Sequence, residues 1–218
     1  LLKDGSPVVM VEEERVTRQK HTRELPFQSI EKCLETAKIS FQDLSHVAVA
    51  IDPWLLSVNS IKHILRYAPH TLSFFNANRL DKGGRILRFK ELLDARFNPD
   101  KKARYHYHFV KHHDAHAASS FLISPFQSAA VLSVDGYGEL VSNWFGTGKK
   151  NTVRSFKTIQ FPHSIACVYT AVTEYLGFRM MDGEGTVMGL ASYGKPSLYD
   201  AFKKIVRFKK NGAYEIDM

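Results

Sequence analysis

The run from His112 to Glu139 restricts this chain more than any other segment. His112-His113-Asp114-Ala115-His116-Ala117-Ala118-Ser119-Ser120 reads as a helix that Pro125 ends, and Ser128 to Val134 (SAAVLSV) reads as a buried strand. On a helix, His112 and His116 lie one turn apart on the same face, where two imidazoles can grip one ion. Asp135 falls at the end of the strand, ahead of Gly136 and Gly138, which permit a tight turn and let backbone N–H groups approach phosphate oxygens. A fold that accommodates this segment packs a helix near a strand end and brings a carboxylate to an imidazole pair. The pattern points to a metal ion beside a nucleotide phosphate, with His112, His116 and Asp135 as ligands.

Each part has a plainer reading. An HxxxH pair arises by chance in a chain with ten histidines, and Asp-Gly pairs are common in ordinary hairpin turns. Ala115, Ala117, Ala118 and Ser119 favour the metal, because small residues let another backbone come close. His113 points elsewhere on the helix and is cast as a phosphate or substrate contact, a catalytic group beside Asp135 rather than a ligand. Two histidines and one aspartate suit ferrous iron, zinc or manganese alike.

Around this segment the pattern is that of an α/β chain. Pro7 to Glu13 reads as a strand after the turn Lys3-Asp4-Gly5-Ser6, Gln28 to Lys38 as a helix with Ile30, Cys33, Leu34 and Ala37 on one face, and His46 to Ile51 as a strand ending at Asp52-Pro53. Two helices are expected around Ser60 to Tyr67 and Arg85 to Phe97, separated by Asp81-Lys82-Gly83-Gly84. Tyr105 to Val110 (YHYHFV) alternates like a strand. Three further strands are expected at Ala129 to Val134, Leu140 to Gly146 and Val153 to Phe161, with a hairpin at Gly148-Lys149-Lys150-Asn151, then a helix from His163 to Leu176. Strand and helix units followed by a hairpin of strands give a mixed sheet.

A formal charge of +8 favours an anionic ligand, and nothing matches a helix-turn-helix, a zinc finger or an RNA-recognition sheet, so nucleic acid has no support. No apolar run is long enough to cross a membrane. Cys33 and Cys167 lack CxxC partners and read as free thiols in a reducing cytoplasm. Two more segments are candidates for anion handling. Arg15, Arg18 and Lys20, in Glu12-Glu13-Glu14-Arg15-Val16-Thr17-Arg18-Gln19-Lys20-His21, could clamp a small acyl phosphate or form a solvated loop. Asp182 to Gly194 (DGEGTVMGLASYG) lacks P-loop spacing and reads as a crossing that covers a nucleotide or as a loop.

Taken in order, the Glu12 to His21 segment, His-His-Asp-Ala-His-Ala-Ala-Ser, Val-Asp-Gly-Tyr-Gly-Glu, Phe161-Pro162-His163-Ser164, Thr173-Glu174-Tyr175-Leu176-Gly177-Phe178 and Val187-Met188-Gly189-Leu190-Ala191-Ser192-Tyr193-Gly194 resemble the carbamoyltransferase family that includes NodU and the antibiotic O-carbamoyltransferases. The resemblance implies an actin/hexokinase-like (ribonuclease-H-like) fold of mixed sheets flanked by helices, incomplete here. Residues 1–126 would form a first subdomain lacking its first strand, with an insertion at about 54–104, and 127–218 the truncated start of a second. It implies ATP and a divalent metal, ferrous iron ahead of zinc or manganese, as cofactors. Carbamoyl phosphate, a small hydroxyl-bearing acceptor and a C-terminal activating domain of the same parent chain would be the partners. His112, His116 and Asp135 would hold the metal, Gly136, Gly138, Glu184, Gly185 and Gly189 would frame the nucleotide, and Arg15, Arg18 and Lys20 would contact anions. A fragment of this kind is expected to be inactive alone. Threonylcarbamoyl transfer to tRNA and a sugar-kinase-like or regulatory ATP-binding domain are the alternatives.

Overall fold

The computed structural model describes residues 1–22, 24–68, 71 and 84–217, and its contacts gather the chain into two compact units. The first comprises Leu1–Val49 and Tyr67–Phe109. Its helix Phe27–Ala37 places Phe27, Ile30 and Leu34 at helical spacing against buried Phe41, Phe89, Leu93 and Ala103. Pro26 stands at the N-cap with no side chain to satisfy the free N–H groups. Glu13 takes that task from a distance in sequence, accepting hydrogen bonds from the N–H groups of Gln28 (3.2 Å) and Ser29 (2.7 Å) and from the Ser29 hydroxyl (2.6 Å). Burial works to raise the Glu13 carboxyl, but these bonds outweigh it and its pKa is lowered.

Strands β3 (His46–Val49) and β4 (His106–Phe109) pair in parallel, with His46 opposite His106 and Ala48 opposite His108. Alternation sends Val47, Val49 and Tyr107 to the core and leaves His46, Ala48, His106 and His108 on the exposed face. The strand expected over Pro7 to Glu13 is not formed. β1 (Leu2–Lys3) and β2 (Ser6–Pro7) make a short antiparallel pair, and Glu13 opens a helix, Glu13–Thr17. Val8 and Val9 bond back to Leu1, and among the described residues no neighbouring strand offers residues 10–12 a ladder. The helix expected over Arg85 to Phe97 is continuous over Phe89–Phe97. Asp81-Lys82-Gly83 of the expected break, and part of the expected insertion, lie outside the described residues.

The second unit comprises residues 50–66 and those from 110 onward. The helix expected near Ser60 starts earlier and spans Pro53–Tyr67. Asp52 Oδ1 accepts from the N–H groups of Trp54 and Leu55, both at 3.0 Å, and proline at the first helical position costs no hydrogen bond. Strands β5 (Ser128–Gly138), β6 (Val141–Lys149) and β7 (Thr152–Gln160) form an antiparallel meander. The histidine helix, His112–Phe121, packs on it, with the Phe121 ring over Gly148, where a Cβ would lie 2.4 Å from the ring. Trp144 Nε1 donates to Asp114 Oδ1 at 2.9 Å from the same helix.

Two sequence expectations change in this unit. Asp135-Gly136-Tyr137-Gly138 is not a turn: it lies inside β5, where the register shifts between Val134 and Gly138 as in a bulge. The turn falls on Glu139 and Leu140, whose φ values of 47° and 64° suit a two-residue hairpin loop. Neither is glycine, so each bears the steric cost of positive φ, and both are buried, where surrounding contacts over-determine the backbone. The hairpin expected at Gly148 to Asn151 does form, with Lys149 opposite Thr152. The glycine-rich stretch, read as a crossing or loop, contains a helix, Glu184–Ala191, anchored by buried Val187. Helix Ile165–Tyr175 is capped by Ser164, and β8 (Val206–Phe208) with β9 (Tyr214–Ile216) closes on Ile159 and Phe145. The chain is thus mixed α/β, with helices and small sheets, none closed among the described residues. Among them, no helix is long and apolar enough to cross a membrane.

Candidate metal centre

The first turn of the histidine helix and the bulged end of β5 meet at one point. His112 Nε2 lies 2.7 Å from Asp135 Oδ2, His116 Nε2 lies 3.0 Å from His112 Nε2, and His116 Nε2 lies 3.5 Å from Asp135 Oδ2. One ion bound at ~2.1 Å by three ligands would separate its ligand atoms by roughly 3–3.5 Å. Two of the three separations lie in that range, and the 2.7 Å His112–Asp135 pair, at hydrogen-bond distance, would open slightly around an ion. Two imidazole nitrogens and a carboxylate within 4.8 Å of one another suit a divalent transition metal. The side chains of His112, His116 and Asp135 are 30, 51 and 38% exposed, so the centre opens on one side to an incoming group.

The histidine orientation is built in. His112 Nδ1 lies 3.3 Å from the Ala50 carbonyl, which can only accept, so Nδ1 carries the proton and Nε2 keeps its lone pair for the ion. The ring sits directly over Gly138, where a Cβ would fall 2.3–2.4 Å from it. Gly138, expected to frame a nucleotide, makes room for the His112 ring. Without an ion, the bond to Asp135 raises the His112 pKa, and the same bond holds the Asp135 carboxyl well below the usual carboxylate range.

Glu139, the acidic residue that follows the glycines of the motif, is a scaffold residue of the centre. Its carboxylate is buried and accepts hydrogen bonds from the N–H of Asp52 (2.7 Å) and the N–H of His112 (3.0 and 3.2 Å). Its backbone carbonyl accepts from Asn59 Nδ2 at 2.7 Å. One residue thereby ties the starts of two helices to the β5–β6 turn, with a negative group at the positive end of the histidine helix. Burial raises the Glu139 pKa against the pull of those hydrogen bonds. The local sequence offered one clue, an acidic residue directly after the glycines of a strand that faces a helix start.

His113 is placed differently from its expected role. It is 3% exposed, and its Nε2 donates to the Val141 carbonyl at 2.8 Å while Nδ1 faces the Ser133 hydroxyl at 2.8 Å. Both ring nitrogens are engaged across β5 and β6, and burial lowers its pKa, so it is held neutral in the core. Gly136 donates its N–H to Asp135 Oδ1 at 2.6 Å, and its carbonyl faces Cys167 Sγ at 3.6 Å, so it backs onto helix Ile165–Tyr175. Gly185 and Gly189 stand one turn apart on helix Glu184–Ala191, and a Cβ at either would meet nothing within 4 Å. Glu184 Oε1 accepts from the Met181 N–H at 2.9 Å, a bond that lowers its pKa. Arg15, Arg18 and Lys20 belong to the other unit; Arg15 lies near Glu12 (3.4 Å) and Glu14 (3.6 Å), and Arg18 ends the short helix with φ 60°.

Comparison with known proteins extends over the whole chain. A family described as carbamoyltransferase N-terminus matches residues 1–218. The uncharacterized protein sll1178 of Synechocystis sp. is 35% identical over 223 residues, covering 100% of this chain and 36% of that protein. Nodulation protein NolNO of Sinorhizobium fredii is 32% identical over 217 residues, 99% of this chain and 30% of its own length. The uncharacterized protein MJ1051 of Methanocaldococcus jannaschii is 29% identical over 193 residues, 88% of this chain and 30% of its own. The chain spans about a third of the length of the curated relatives it matches.

Proposed function

The chain belongs to the carbamoyltransferase N-terminus family, and from that premise we propose that it supplies the metal-holding transfer centre of an enzyme that moves a carbamoyl group to an acceptor hydroxyl. The donor in this reading is carbamoyl-adenylate, made from carbamoyl phosphate and ATP by a separate C-terminal domain of the same protein. The fold would be the actin/hexokinase type, and the acceptor a small hydroxyl-bearing molecule met in the cytoplasm. The observation that carries the reading is the convergence of His112 Nε2, His116 Nε2 and Asp135 Oδ2 at one open point.

A divalent ion bound there, with ferrous iron the first candidate, would act as a Lewis acid on the carbamoyl carbonyl. The protein's own residues do the rest. Asp135 stays ionised across the physiological range, His112 is presented in one tautomer by the Ala50 carbonyl, and Glu139 holds both the helix start and the hairpin in register. Gly185 and Gly189 leave one face of their helix bare, which would let a ribose or adenine approach the backbone.

The test uses the full-length protein with ATP, with and without carbamoyl phosphate, and a trial set of polyol and sugar acceptors. The expected result is pyrophosphate release that depends on carbamoyl phosphate in wild type and in His116→Ala, with acceptor-dependent AMP release lost in the variant. ATP turnover indifferent to carbamoyl phosphate would overturn the proposal and favour a sugar-kinase-like domain instead.

A further inference from the structure

We propose a second metal site, distinct from the first, on the exposed face of the β3–β4 sheet, formed by His46 and His108 with His106 beside them and selective for late divalent ions such as zinc, nickel or copper. The inference is independent of the carbamoyl-transfer reading, because it rests on residues of the other unit. In His106-Tyr107-His108 the strand period of two places both imidazoles on one side and sends Tyr107 to the core. The parallel register then sets His46 directly across from His106. Ala48, opposite His108, is too small to fill the space between strands, and the His108 ring leans diagonally towards His46.

The result is three imidazoles in one exposed patch. His46 Nδ1 lies 2.9 Å from His108 Nε2, and the ring of His106 stacks on that of His46 with centroids 5.2 Å apart. The His46 and His108 rings are 5.1 Å apart, and those of His106 and His108 6.3 Å. Without an ion, two neutral imidazoles at such a distance form one N–H···N hydrogen bond, one nitrogen donating and the other accepting. A cation between them engages both lone pairs, and ligand atoms held ~2.1 Å from one ion stand about 3 Å apart. His106 is exposed and its ring stacks on that of His46, so it stands beside the pair as a supporting group rather than as a third nitrogen already in place. No carboxylate is among the three, so the donor set is pure imidazole. That chemistry suits zinc, copper and nickel and disfavours magnesium, calcium and manganese, which take oxygen ligands.

The site is separable from the first centre by mutation. Zinc would be titrated calorimetrically into the full-length protein carrying His116→Ala and Asp135→Ala, which remove the first centre. One equivalent should remain, and it should weaken at least about tenfold when His46→Gln and His108→Gln are added, with a smaller loss for His106→Gln. Far-UV circular dichroism would verify that these exposed substitutions leave the fold unchanged. Should either alter it, carbethoxylation of the protein without substitutions at these three positions gives a second readout: zinc should protect His46 and His108 from modification, mapped by peptide mass. Zinc lost entirely with the first centre, zinc binding unchanged by the added His46→Gln and His108→Gln, or protection confined to other histidines would each overturn the proposal.

Discussion

The two histidine groups on this chain differ in what stands behind the rings. At the first centre, His112 is held by a carbonyl, a glycine and a helix start tied down by the buried Glu139, and Asp135 is fixed by its own neighbour's N–H. On the β3–β4 face, His46, His106 and His108 touch chiefly one another above a sheet whose other side is core. The first arrangement is preorganised: its ligand atoms are positioned before any ion arrives, and the hydrogen bonds that position them are partly buried. The second relies on strand alternation alone. Affinity and geometric selectivity should follow the supporting hydrogen bonds rather than the number of imidazoles.

The largest expected effect tests the first centre itself. Asp135→Ala should lower its metal affinity by more than about a hundredfold, since loss of a ligand exceeds the 10–100-fold typical of a supporting residue. His108→Gln should leave that centre untouched, and calorimetry on both variants would check the contrast. Gly138→Ala comes next. A methyl 2.3 Å from the His112 ring forces either ring or strand to move, so we expect about 1–3 kcal/mol of lost stability and at least tenfold weaker metal binding. Urea denaturation and the same titration would measure the two losses.

Glu139→Gln separates scaffold from ligand. It keeps the shape but turns part of an acceptor into a donor facing the N–H groups of Asp52 and His112, so roughly 1–3 kcal/mol and about tenfold in metal affinity should be lost. Unchanged affinity would mean that the buried carboxylate does not preorganise the centre. His113→Leu should cost stability by a similar 1–3 kcal/mol, through the bonds lost to Ser133 and Val141, with metal affinity altered by no more than about twofold.

The smallest effect is that of pH on the metal-free protein. The folded-state pKa of His112 is raised by Asp135, so its contribution is full below its unfolded value and fades as pH rises through the folded one. That of Asp135 is depressed, so its contribution appears above its unfolded value and is lost on acidification. The pair therefore stabilises most between roughly pH 4 and 6.5. The difference in urea midpoint between wild type and His112→Asn should shrink from pH 6 to pH 8. Metal binding should strengthen over the same range, because the ion must displace the His112 proton.

Much of this was legible locally. The i, i+4 spacing that put His112 and His116 on one face, and the apolar run that made β5, needed only short-range periodicity, and both elements form. β5 is not the buried strand its apolar run suggests, however, since Leu132 and Val134 are exposed. Asp52-Pro53 both closes the strand-like run before it and is a helix-start pattern, an N-cap carboxylate followed by proline. The turn itself was misplaced. Glycines at 136 and 138 satisfy local rules for a turn, while Glu139 and Leu140 adopt positive φ in a setting of burial and long-range hydrogen bonds that short-range rules do not contain.

The sequence by itself determined which residues could be ligands, which strands and helices would carry them, and that the chain would be α/β. Helical spacing already separated His113 from the His112–His116 face, but tertiary structure alone decided that His113 is locked between β5 and β6, because that depends on Ser133 and Val141 across a sheet. It also decided that Gly138 serves the His112 ring and that Glu139 serves the helix start. Those roles are set by packing between segments far apart in the chain, and a contact of that kind leaves no periodic trace in the residues that make it.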